Sequence, residues 1–164
     1  MKRSKLIALT LSGVLALSSA AILAGCGGKN EEAAVTMDLQ QVYAGFGETL
    51  PEMTMMSDDM MLNFCGINRA DCKQAVVSVS SDGLRADEIW LLEANDAETA
   101  DNLAKLANTR IERKGEESIT YSPEQYEIVQ KAEIIQSGNY VALIVSPDVD
   151  TLAAQFRTAA GLEG

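Results

Sequence analysis

A predominantly apolar run from Leu6 to Ala24, without a single charge, lies near the start of the chain, and a different pattern begins beyond Met37. There the apolar residues return at helical spacing or alternate as in strands. Asp38 to Leu50 places Leu39, Val42, Tyr43 and Phe46 on one helical face and is stopped by Pro51. Ser57 to Phe64 reads as a second short helix, with Ser57 as N-cap, Asp58 and Asp59 in its first turn and Gly66 at its exit. The valine-rich stretch Gln74 to Ser80 and the stretch Asp87 to Ala94 read as strands joined through Ser81-Asp82-Gly83. A long helix follows. Asn95 and Glu98 form a capping box, and Ala97, Ala100, Leu103, Ala104, Ala107 and Ile111 make one stripe.

Ser122-Pro123-Glu124-Gln125 repeats the helix-start signal, with Ser122 as cap, Pro123 at the first position and Gln125 closing the box, for a helix to about Gln130. Ala132 to Ser137 and Tyr140 to Ser146 pair across Gly138-Asn139, a two-residue loop of primed type. Val141 to Val145 is apolar on both faces, which predicts an interior strand. The last helix is expected to take Ser146 as cap and Pro147 as its first residue, with Leu152, Ala153, Phe156 and Ala160 on one face and Gly161 at its end. The order ββαββα after a helical lead-in predicts an α+β, two-layer domain: a four-stranded antiparallel sheet, two long helices on one face, short helices before them. The layout allows an internal duplication of the ββα unit, but the residues of the two halves are not alike.

The opening run has the anatomy of a secretory signal. Lys2, Arg3 and Lys5 precede it, and it ends in Leu23-Ala24-Gly25-Cys26, a lipobox. Small residues at Ala24 and Gly25 let an extended backbone enter a peptidase site, and the Cys26 thiol is the nucleophile that takes the diacylglycerol. Residues 1–25 are therefore expected to be a lipoprotein signal peptide, and residues 26–37 an acylated cysteine with a flexible tether. Residues 38–164 would form one domain. The tether reaches at most about 35 Å at roughly 3.4 Å per residue. One acyl chain holds a protein only marginally and two hold it stably, so the expected address is the outer face of the cytoplasmic membrane, lipid-anchored.

Charge narrows the partners. Of 13 Lys and Arg, three precede Cys26, which leaves ten against 24 Asp and Glu and a formal charge of −14 for the chain from Cys26 onward. Such a field repels nucleic acid and anionic headgroups, so no nucleic-acid partner is expected.

Candidate chemistry is sparse. There is no histidine, which removes the usual general base and the commonest metal ligand. There is also no CxxC pair, phosphate loop or calcium loop, so no cofactor and no metal are expected. Cys65 and Cys72 are a candidate disulfide in an exported protein, with two buried thiols as the alternative. Arg110 and Arg113 are candidates for an anion contact, or they complement the C-terminus of the long helix. Met53, Met55, Met56, Met60 and Met61 read as gap-filling core, with a soft-metal or adaptable surface as the second reading.

Asp87-Glu88-Ile89 leading to a long helix, Arg110 late in that helix, Tyr121-Ser122-Pro123, Gly138-Asn139-Tyr140-Val141 and Phe156 follow one another in an order that is similar to the small bacterial lipoproteins grouped as domain of unknown function 4358. The resemblance runs from about Met37 to Ala160. It implies a low-GC Gram-positive source and no established activity, ligand or catalytic residue. Such sequences tend to have Tyr-Gly after the second helix, and this chain has Phe64-Cys65-Gly66 instead.

The expectation is a non-catalytic binding or interaction module at the cell envelope. It would engage a protein or cell-wall partner through its sheet face or an edge strand. The alternative is a small envelope hydrolase using paired carboxylates. A solute receptor fits poorly, since such receptors are usually two-lobed and much longer.

Overall fold

A computed structural model describes residues 36–162. Helix α1 (Leu39–Phe46) is followed by a 3-10 turn (Gly47–Thr49), strand β1 (Met53–Met55) and helix α2 (Asp58–Met60), which widens into a π-turn (Met61–Cys65). A 3-10 turn (Arg69–Asp71) leads into β2 (Cys72–Ser80) and β3 (Glu88–Ala94). Then come α3 (Ala97–Tyr121), α4 (Pro123–Gln130), β4 (Glu133–Ser137), β5 (Tyr140–Val145) and α5 (Val149–Ala159). The sheet is open and antiparallel throughout, in the order β1-β2-β3-β5-β4. The domain is α+β, as expected, and among the described residues it has five strands and five α-helices.

Two features differ from the four-stranded, two-layer expectation. Strand β1 is the added strand: only three residues long, following Pro51 closely and too short to show alternation, with Thr54 its one β-branched side chain, it pairs Met53 with Ser80 and Met55 with Ser78. The two long helices, moreover, lie on opposite faces. Trp90, Leu92, Val141, Leu143 and Val145 pack with Leu103, Ala107 and Val129 of α3 and α4. Ile89, Leu91, Ala142 and Ile144 pack instead with Leu39 and Phe46 of α1 and with Leu152 and Phe156 of α5. Strands β3 and β5 carry apolar side chains at both parities, and such strands need cover on both sides. The sheet face expected to bind a partner is therefore not available; only the edges at β1 and β4 are.

Several helix starts moved by a residue or two. Asp96, not Asn95, caps α3, taking the Thr99 amide at 2.8 Å, because the Asn95 amide group donates to the Ala70 carbonyl at 2.7 Å. The last helix starts at Val149 with Asp148 at its cap position, while the Ser146 hydroxyl accepts from the Asp148 amide. Ser57 and Ser122 cap α2 and α4 as read. Met37, placed at the end of the tether by the sequence, belongs to the fold. It is buried, its amide donates to the Tyr140 hydroxyl at 3.0 Å and its carbonyl accepts from Gln74 Nε2 at 2.8 Å. No helix among the described residues is long and apolar enough to cross a membrane.

Candidate functional site

The polar centre of the domain is Glu88. It is the first residue of β3, and the two-residue period of the strand turns it to the same face as Trp90 and Leu92, beneath α3. Its side chain is wholly shielded from solvent. Burial opposes a charge here, yet the hydrogen bonds of Arg110 and the charge of Lys114 outweigh it and hold the carboxyl below the ordinary carboxylate range. Arg110 and Lys114 stand four residues apart on α3, hence one above the other on one face. Arg110 reaches both oxygens: Nε lies 2.9 Å from Oε1 and Nη2 lies 2.8 Å from Oε2. Lys114 Nζ is 2.9 Å from Oε2, and Trp90 Nε1 donates to Oε1 at 2.8 Å.

The helical hairpin above this cluster is fitted closely. Gly115 follows Lys114, and a Cβ there would meet Tyr126 and Gln130 of α4 at 3.6 Å, which is ordinary van der Waals contact. Gln125 of α4 accepts from the Ala86 amide at 2.7 Å and so ties the hairpin to the entry of β3. The neighbouring Asp87, also buried, is held by Arg85, whose Nε donates at 3.0 Å. Both carboxylates at the start of β3 are thus engaged by cations of the same chain. Among the described residues no buried side-chain polar atom lacks a partner. No three His, Cys, Asp or Glu side chains there gather as a metal site.

The accessible chemistry lies outside the cluster, at the π-turn. Met61 and Cys65 face inward and are buried, whereas Leu62 and Phe64 are 52% and 54% exposed. Leu62 borders an open groove of about 550 Å³ that is also lined by Asp58, Asp59, Asn68 and Arg69. Ser57 fixes the start of this segment and Gly66, at φ +74°, fixes its end.

The candidates from the sequence fall out as follows. Leu23, Ala24, Gly25 and Cys26 lie outside the described residues. Cys65 and Cys72 are both buried and free, not bridged, and burial pushes their thiols up to about 12 and about 11. Arg110 does contact an anion, but that anion is Glu88 of its own chain. Arg113 is exposed. Neither arginine complements the helix C-terminus, because α3 continues to Tyr121. Lys114 and Trp90 were missed as members of the site. The available signal was a glutamate directly before the apolar run Ile89 to Leu92, with two cations four apart on the helix that covers it.

Fold and site together define a small α+β domain whose sheet is covered on both faces and whose buried carboxylates are paired with cations of the same chain. Residues 47–146 match the family model described as domain of unknown function 4358, and the chain belongs to that family. No curated protein and no solved structure matches it.

Proposed function

We propose that this chain is a lipid-anchored extracytoplasmic binding module, acylated on Cys26 and held at the outer face of the cytoplasmic membrane, with no catalytic role. In this reading the domain engages a protein partner through the π-turn and its groove. The observation that carries it is the pair Leu62 and Phe64. Two large apolar side chains stand half in solvent on a turn pinned by buried neighbours, beside a groove bearing Asp58 and Asp59. Exposed aromatic and aliphatic anchors next to fixed charges are the usual makings of a protein contact. The acidic groove and the excess of acidic residues along the chain favour a partner whose contact surface is basic at its rim and apolar at its centre.

The carboxylate-hydrolase alternative draws no support from the buried acids. Asp87 and Glu88 are both closed off from substrate by their cations. A photo-crosslinking residue placed at Phe64 in intact cells is expected to trap one discrete protein adduct. The same residue at exposed Glu127 of α4 is expected to trap none. Equal trapping at both positions would sink the proposed surface.

A further inference from the structure

The two edges of the sheet are not alike. Strand β1 ends it on one side and β4 on the other. At β4 the polar side chains are engaged by the chain's own helices: Arg157 of α5 pairs with Glu133, and Gln136 donates to Asp101 of α3 at 2.8 Å. Strand β1 is Met-Thr-Met and carries no charge. Thr54 is exposed, and Met55 is 46% exposed.

The register fixes which backbone groups of β1 face outward. The Met56 amide donates to the Val77 carbonyl and the Ser81 amide to the Glu52 carbonyl, each at 2.8 Å, so Glu52, Thr54 and Met56 turn towards β2. The amides and carbonyls of Met53 and Met55 therefore point to the free side, where no strand pairs with them. Thr54 and Met56 share one face of the strand. On that face Met56 packs with Met61 and Cys65 of the π-turn, its Sδ 3.7 Å from Cys65 Sγ. The π-turn, with Leu62 and Phe64 outermost, thus stands beside the end of the free edge.

Charge selects the occupant. No Lys or Arg lies between Lys29 and Arg69. Glu48 and Glu52 precede β1 and Asp58 and Asp59 follow it; all four are exposed, and none is ion-paired among the described residues. A second copy of this chain would bring the same acids against them, and like charges brought opposite one another across strands are destabilising. A segment carrying Lys or Arg between apolar residues meets opposite charge instead.

We propose that β1 accepts an extended, basic segment of a partner protein as an added strand. Main-chain bonds to Met53 and Met55 hold the segment, its apolar side chains lie against Leu62 and Phe64, and its basic side chains meet Glu52, Asp58 and Asp59. This specifies how the π-turn surface is used and rests on that reading.

The test titrates the full-length chain in detergent with a synthetic octapeptide of alternating Lys and Val, and with its Glu–Val counterpart. The Lys–Val peptide is expected to bind and the Glu–Val peptide not to. Met55→Pro removes an outward amide and leaves the bonds to β2 in place, as proline is tolerated on an edge strand where its missing N–H would face solvent. It is expected to weaken binding by about tenfold or more, whereas Met55→Leu, which keeps the amide and a similar volume, leaves it unchanged. No binding of the Lys–Val peptide, equal binding of the Glu–Val peptide, or full affinity in Met55→Pro would each overturn the added strand. Loss of binding in Phe64→Ala with none in Met55→Pro would remove the added strand and keep the π-turn surface; full binding in both variants would remove both. Should Met55→Pro unfold, as circular dichroism would report, peptides N-methylated at every second residue decide. Methylation in one register is expected to abolish binding and in the other to spare it, and loss in both or in neither would overturn the proposal.

Discussion

Glu88 shows how one side chain can be costly by itself and stabilising in company. A carboxylate without solvent contact loses its hydration, and four donors from Trp90, Arg110 and Lys114 replace it. Removing one partner leaves charge stranded. Arg110→Ala is expected to destabilise the domain by about 3–5 kcal/mol in urea unfolding, and a loss below about 1 kcal/mol would contradict the described geometry. The pH dependence follows from the direction of the Glu88 shift. A carboxyl held below its unfolded range stabilises the fold above that range, and the contribution fades as pH falls through the lowered value. Stability should therefore drop on acidification from about pH 5 downward. Glu88→Gln should flatten that drop, which a series of unfolding curves would read.

The serine caps were legible because a cap is a local matter: Ser57 and Ser122 bond amides three residues on. Asn95 and Gln125 misled for the opposite reason. Each was drawn away by a distant backbone group, at Ala70 and Ala86, that no local pattern announces. The same holds for Lys114 and Trp90, whose shared partner is fixed only when α3 folds back over β3.

Among the elements, β5 was readable as interior because its residues are apolar at both parities, and all six are buried. The same reasoning applied to β3, with Ile89 and Leu91 on one side and Trp90 and Leu92 on the other, points to cover on both faces. Helices α1 and α5 supply the second layer. Strand β1 stayed hidden because three residues carry no period. The α3–α4 hairpin gives a test at this scale. A Cβ at Gly115 meets α4 at ordinary contact distance, and alanine is favoured over glycine inside a helix by about 0.5–1 kcal/mol. Gly115→Ala should therefore raise the melting temperature. Gly115→Leu should lower it by forcing α4 off α3.

For the whole molecule, the domain reads as a closed body: both sheet faces covered, buried charges paired, and an exposed apolar turn on one edge of its surface. In the proposed reading, what it does depends on where it is held and what meets the π-turn. The chain from Cys26 onward carries 24 acidic against ten basic residues once the three ahead of Cys26 are set aside, so it should be repelled by anionic lipid unless a covalent anchor overrides the field. If Cys26 carries the proposed acyl anchor, the protein in fractionated cells is expected to stay with membranes through a high-salt wash and to leave them with detergent.

The anchor at Cys26 is the claim from which compartment and company follow, and metabolic labelling with a fatty-acid probe tests it most directly. The parent chain is expected to take up the probe and sediment with membranes, while Cys26→Ala takes up none and loses its acyl-dependent attachment. An unlabelled parent, or a Cys26→Ala chain labelled to the same extent, would contradict it.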